Sequence, residues 1–235
     1  MIVNDQSYCV CIATYSKRKD YIKNLIEDIR KQSQDIPIYI SVNCDYKKQF
    51  DNEYRKYILE LASKHENVYL TFYLKFRGLS RMWNDMITNT CYDNCIIIND
   101  DSAIKNNFIS DFINHKISTN NETILKTNNG WACFIVNYKY INSVGFFNEN
   151  YIGIGFEDAE FVRRTLEYPA YMTEDFVDLN IEALHTFPTC EDDNVTVKEY
   201  SSFNKHMINS GQIGGGIHFR PFEQQYIDNY DKIFG

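Results

Sequence analysis

Residues 95–102 read Cys-Ile-Ile-Ile-Asn-Asp-Asp-Ser, so an apolar run ends directly in two adjacent aspartates preceded by an asparagine. A buried strand that delivers two carboxylates to its exit needs something to offset their charge. Mg2+ or Mn2+ suits the task, because these hard cations take oxygen ligands and commonly complete their shells with substrate phosphates. Without a cation the same residues make a solvated turn in which Asp100 or Asp101 caps a helix near Lys105. A second acidic group lies in G-F-F-N-E-N-Y-I-G-I-G-F-E-D-A-E-F-V-R-R, residues 145–164, where a glycine-spaced loop leads into a helix opening on Glu157-Asp158. The helix dipole favours acids in a first turn by about 0.3–1 kcal/mol each, which accounts for the charge but not for the Gly-x-Gly before it. Those glycines let the backbone approach a bulky ligand and set the acidic helix start at the edge of a pocket.

The elements that must hold these groups follow from periodicity. Residues 7–14 (SYCVCIAT), 36–43 (IPIYISVN), 68–74 (VYLTFYL) and 95–99 (CIIIN) are short apolar runs suited to buried strands. Between them, Tyr21, Ile22, Leu25, Ile26 and Ile29 recur at helical offsets, as do Phe50, Tyr54, Tyr57, Ile58 and Leu61, and then Leu79, Met82, Trp83, Met86 and Ile87. Strands alternating with amphipathic helices predict a mainly parallel sheet covered on both faces, and ligands of such sheets bind where the strands end. Three exits therefore matter: Thr14–Arg18, Asn43–Asp45 and Asn99–Ser102. Beyond residue 105 the pattern turns mixed, with a helix around Phe108 and Phe112, strands near 122–126 and 131–136, and the helix at Glu157.

With 235 residues the chain fits one domain plus an extension, and its 44% apolar content with only 4 Pro and 10 Gly excludes disordered and low-complexity classes. Lys plus Arg of 24 against Asp plus Glu of 32 gives a net charge of −8, which argues against extended nucleic-acid binding. An acidic protein still binds a nucleotide through a metal. The seven cysteines are an odd number partly set in apolar runs, and read as reduced thiols packed as small hydrophobes; Cys91 and Cys95 have no Cys/His pair at zinc-finger spacing. No basic leader and no apolar stretch of roughly 20 residues is present, which predicts no transmembrane segment and a cytoplasmic location, or host cytoplasm or virion for a viral chain. From about residue 190 the texture becomes polar, and Gly214, Gly215 and Gly216 precede His218 and Arg220. Residues 191–235 are thus read as an arm: a lid centred on 211–220, or a packing or homodimer element.

Taken together, the blocks resemble the nucleotide-sugar-dependent glycosyltransferases of GT-A fold, especially the inverting family 2, over roughly residues 7–187. The first strand ends in T-Y-S-K-R where the family has T-Y-N-R; G-L-S-R-M-W-N at 78–84 stands for G-x-S-x-A-R-N; the apolar strand ends in N-D-D; G-F-F-N-E and F-E-D-A-E-F-V-R-R stand for G-G-F-D-E and E-D-x-D-L-x-x-R; and A-L-H at 183–185 is near a late histidine. The resemblance implies a GT-A (Rossmann-like), mainly parallel mixed α/β sheet flanked by helices, with residues 1–190 as the transferase domain. It implies that Thr14 and Tyr15 line a nucleobase pocket, that Asn43 or Asp45 helps hold base or ribose, and that Asn84 lies near the diphosphate. Asp101 would be the metal ligand with His185 completing the shell or touching the diphosphate, and Asp100 would sit beside ribose or metal. Asp158 would be the general base, Glu157 an acceptor-binding carboxylate and Arg164 a structural or charge-balancing partner.

Three positions depart from the family pattern. Asn99 replaces the first aspartate of D-x-D, Trp83 stands where an arginine often faces the diphosphate, and the second strand lacks D-x-x-S-x-D. Arg81, Arg77 or an arm residue would then supply positive charge, unless Arg77 and Arg81 pair with surface acids, and Arg18 counts among the nucleotide-binding candidates. Tyr151, Ile152 and Trp131 would border the site and stack on sugar rings, although with 18 tyrosines in the chain packing is the commoner use of any one of them. The implied reaction moves a sugar from a nucleoside-diphosphate sugar, UDP-sugar favoured, to a glycan or other acceptor hydroxyl, with Mn2+ or Mg2+ and inversion. The competing readings are an inactive nucleotide-sugar-binding module and a sugar nucleotidyltransferase; the latter normally carries a glycine-rich loop after its first strand, and Thr14–Arg18 contains no glycine.

Overall fold

Strict alternation along Gln6–Thr14 (β2) sends Tyr8, Val10 and Ile12 into one apolar cluster and Cys9 and Cys11 into another on the opposite face, so both faces of this strand are covered. The computed structural model describes residues 1–46, 48–105, 107–118, 124–127, 130–151, 157–166, 175–177 and 181–183. A two-residue strand, Ile2–Val3 (β1), pairs antiparallel with β2 through a turn whose Asn4 and Asp5 have φ of 49° and 60°. Strand β2 then pairs in parallel with Ile38–Val42 (β3) on one side and Asn94–Asn99 (β5) on the other, and Val68–Phe72 (β4) lies in parallel outside β3. Helices Lys19–Gln32 (α1) and Asn52–Ala62 (α2) bury Ile22, Leu25, Ile26, Ile29, Tyr54 and Ile58 against one face, while Leu79–Asn89 (α3) buries Trp83, Met86 and Ile87 against the other. Asp51 caps α2 by accepting from the Glu53 and Tyr54 amides.

After β5 the chain turns at Asp100-Asp101 into Ser102–Ile104 (β6), which pairs antiparallel with Ile181–Ala183 (β10) in a separate two-stranded sheet. The aspartates therefore lead into a strand, and the following helix, Phe108–Ser118 (α4), begins beyond Lys105. Leu125–Thr127 (β7) and Gly130–Asn137 (β8) extend the main sheet antiparallel, Tyr138–Val144 (α5) follows directly, and Glu157–Leu166 (α6) precedes Asp175–Val177 (β9), a parallel neighbour of β7. The main-sheet order is β4-β3-β2-β5-β8-β7-β9, with β1 on β2. This is the mixed, mainly parallel-first α/β sheet that the sequence pattern predicts. No helix of the described residues is long and apolar enough to cross a membrane. Residues 191–235, the expected arm and lid, lie outside the described residues, as do His185 and Ile152.

Candidate active site

The chain winds from β2 outward through β3 and β4, then returns to place β5 on the other side of β2. That reversal is a topological switch point, and ligands of such sheets bind beyond the strand ends at that place, here the exits of β2 and β5. Ala13 is level with Asn99 and Thr14 with Val42, so Thr14–Arg18, Asn43–Asp45 and Asn99–Asp101 emerge side by side. The buried Thr14 hydroxyl meets the Tyr54 hydroxyl at 2.8 Å. Burial, and then the nearby Asp100, push the Tyr54 phenol well above its ordinary pKa, so it stays protonated. Ser16 donates to both Asp45 oxygens at 2.8 and 2.9 Å, tying the loop after β2 to the exit of β3.

A buried ion pair links the β2 and β5 exits. Arg18 Nη1 donates to Asp101 Oδ2 at 2.9 Å, with side-chain exposures of 7% and 11%, while Arg18 Nε donates to the Tyr15 hydroxyl at 3.2 Å and the guanidinium lies over the half-buried Tyr15 ring. Burial disfavours the Arg18 charge, but Asp100, Tyr15 and Asp101 outweigh it and raise the pKa above the usual arginine value. Asp100 and Asp101 are both buried and Asn99 is half-buried, so three oxygen-bearing side chains are gathered at one strand exit.

On the opposite wall the amides serve the protein itself. The Asn43 side chain donates to the Arg77 carbonyl at 2.8 Å and accepts from the Arg77 amide at 3.0 Å, fixing the loop that leads into α3. Asn84, expected near a diphosphate, is instead fully buried. It donates to Phe147 O and Glu149 Oε1 and accepts from the Phe147 amide at 3.0 Å, so it clamps the loop after α5 and offers no surface to a ligand. Arg81 pairs with Asp85 at 3.1 Å and Glu149 at 2.8 Å, and Tyr73 donates to the same Asp85 oxygen. The role of Glu149 was not legible, although Asn-Glu in G-F-F-N-E marked the place. Asn84→Ala would strand two buried main-chain groups of Phe147. Its expected cost is about 1–3 kcal/mol in denaturant unfolding, without change in Mn2+ response; a neutral substitution would show that the clamp is incidental.

Helix α6 is nailed to the same loop. The buried Arg164 pairs with Glu160 through Nε and Nη2, both at 3.1 Å, and donates to the Val144 and Phe146 carbonyls at 2.8 Å. Phe161 stacks on Phe147 at 4.4 Å and meets Trp131 at 6.0 Å. Trp131 lies two residues beyond Cys133, the partner of Ile98, and so stands toward the level of Asp100. Through Trp131 and Phe147, the helix bearing Glu157 and Asp158 packs against the part of the sheet beside the β5 exit. Glu157 is buried, while Asp158 is half-exposed and its Oδ1 accepts from the Ala159 amide at 2.8 Å. Trp83 is a core residue, edge-on to Phe134 and Phe147, and carries no diphosphate-facing surface. Tyr151 is buried rather than displayed for stacking, and its hydroxyl has no hydrogen-bond partner among the described residues. Trp131 is half-buried.

No protein-family model matches the sequence. No curated protein matches it either. Solved structures do. A mannosyltransferase, PcManGT from Pyrobaculum calidifontis in complex with GDP-Man and Mn2+, superposes with a TM-score of 0.64 at 10% identity, covering 96% of this chain and 69% of that one. Two structures of S. aureus TarS match at 13% identity. Residues 1–349 of TarS give a TM-score of 0.52 over 68% of this chain and 55% of that one, and the longer TarS structure gives 0.56 over 73% and 35%. This chain thus spans only part of TarS. At these identities the likeness concerns the fold, and the fold of this chain is that of the GT-A-like glycosyltransferases.

Proposed function

We propose that the chain transfers a sugar from a nucleoside-diphosphate sugar, with a UDP-sugar favoured, to an acceptor hydroxyl with inversion, assisted by a divalent cation. The observation that carries this reading is the pair of buried carboxylates, Asp100 and Asp101, at the switch-point exit of a fold shared with a mannosyltransferase that holds GDP-Man and Mn2+. The described residues fit a hard cation: Asn99, Asp100 and Asp101 offer oxygen donors, and a cationic group, Arg18, already sits against Asp101. His185 is proposed as a further ligand. When bound there, a divalent ion supplies positive charge that offsets the charge growing on the departing diphosphate.

The chain's own residues divide the remaining work. Thr14, oriented by Tyr54, and Tyr15 flank the nucleobase, and Asp45, held by Ser16, faces the ribose. Arg18 is the cation within reach of the phosphates once it leaves Asp101, a role neither Trp83 nor the acid-bound Arg81 supplies. Asp158 accepts the proton of the attacking hydroxyl and Glu157 holds the acceptor. The half-buried Trp131 offers a ring at the same rim.

Substitution of Trp83 and Asn99 at family positions supports a second reading, a nucleotide-sugar-binding module without turnover. A thermal-shift screen tests the shared donor site first. Nucleoside-diphosphate sugars at about 100 times Kd are expected to add about 2.7 kcal/mol of stability, only with Mn2+ present. No shift with any donor sinks both readings; a shift without product formation on any hydroxyl acceptor leaves the module.

A further inference from the structure

On the face of the sheet covered by α3, away from the acidic exit, three thiols converge. Cys9 and Cys95 are register partners on neighbouring parallel strands, and Cys11 follows two residues along β2 on the same face. Cys9 Sγ lies 3.9 Å from Cys11 Sγ and 3.8 Å from Cys95 Sγ, and all three sulfurs are within 4.8 Å of one another. Sulfurs on a triangle of such sides surround a point about 2.3 Å from each, which is the metal–thiolate bond length. The three residues are buried, and two adjacent strands hold them in register, so the arrangement is pre-organised.

We propose that Cys9, Cys11 and Cys95 form a binding site for one soft cation, Cu(I). Among the described residues no His or carboxylate joins the cluster, so a hard ion such as Mn2+ finds no oxygen set here. Structural zinc takes four ligands, whereas three sulfurs suit three-coordinate Cu(I); the Thr90 hydroxyl lies 3.4 Å from Cys95 Sγ. Packing alone does not require three neighbouring thiols: Cys133, buried elsewhere in the core, fills its place singly.

The S–H bonds of Cys9, Cys11 and Cys95 break as three Cu–S bonds form, and the three protons go to solvent, because the thiolate and not the thiol is the metal ligand.

The site is enclosed, so loading is tested by refolding the reduced, full chain with Cu(I) under argon, followed by gel filtration against bicinchoninate. The expected result is one retained copper per chain, ultraviolet thiolate-to-copper charge transfer, release of three protons and a raised Tm. Cys9→Ala, Cys11→Ala and Cys95→Ala are each expected to weaken retention by about 100-fold or more, beyond what an outer-shell partner contributes; Cys91→Ala and Cys133→Ala keep it. Absence of copper in the wild-type chain, equal retention in the three cluster variants, or loss through Cys91→Ala alone overturns the proposal. X-ray absorption of the loaded wild-type chain decides without variants: three sulfurs at about 2.3 Å support the site, and nitrogen or oxygen ligation overturns it.

Discussion

Asp158→Asn is expected to lower turnover of sugar transfer by about 10²–10⁴-fold while leaving donor affinity unchanged. The substitution is nearly isosteric. Asp158 is half-exposed, and its Oδ1 accepts from the Ala159 amide at 2.8 Å, a contact that an asparagine Oδ1 also makes. Stability should therefore hold, and only the ability to accept a proton is lost. Steady-state rates at saturating donor, with the Mn2+-dependent donor shift measured in parallel, separate the outcomes. Full turnover in the variant removes Asp158 from the base role. Equal donor shifts with no product from either protein point to the inactive module.

Much of the sheet was legible because burial leaves a simple signature. Apolar runs such as 95–99 suit strands covered on both faces, and the three helical stripes between them fix the crossovers. Elements held by distant partners left no such trace. Asp100 and Asp101 have the composition of a helix cap, yet they turn into β6, whose partner Ile181–Ala183 lies far along the chain. Strand β1 has two residues and thus no periodicity; its signal was Asn4-Asp5, a residue pair that tolerates the positive φ of a two-residue hairpin turn. Helix α5, at seven residues, is too short to show a stripe, although Asn137 caps it by accepting from the Lys139 amide.

At the site, residue types were legible and their partners were not. Asn84 reads as a polar group on a helix shoulder, but α3 is covered by the sheet on one side and by the 145–149 loop on the other, so residues 82–87 are all buried. Its amide is then needed to satisfy that loop. Tyr54 fits the apolar stripe of α2, and its ring does pack in the core; only the fold reveals that its hydroxyl reaches Thr14. The Arg18–Asp101 pair joins residues 83 apart in sequence, and no spacing rule anticipates it.

That pair yields the second large effect. Arg18→Met is expected to destabilise the metal-free protein by about 3–5 kcal/mol, the usual cost of removing one partner from a buried ion pair. Methionine keeps much of the volume but leaves Asp100 and Asp101, both buried, without the guanidinium. A divalent ion on the same oxygens offsets that loss, so Mn2+ should raise the Tm of Arg18→Met more than that of the wild-type chain, in which Arg18 must first leave. Asp101→Asn behaves differently. Arg18 retains the attraction of Asp100, so destabilisation is smaller, but the metal response and turnover are lost together. Equal Mn2+ shifts in wild type and Arg18→Met would mean that arginine and metal do not compete for Asp101. No shift in either would reduce the carboxylate pair to a structural counterion for Arg18, and the transferase reading would lose its metal.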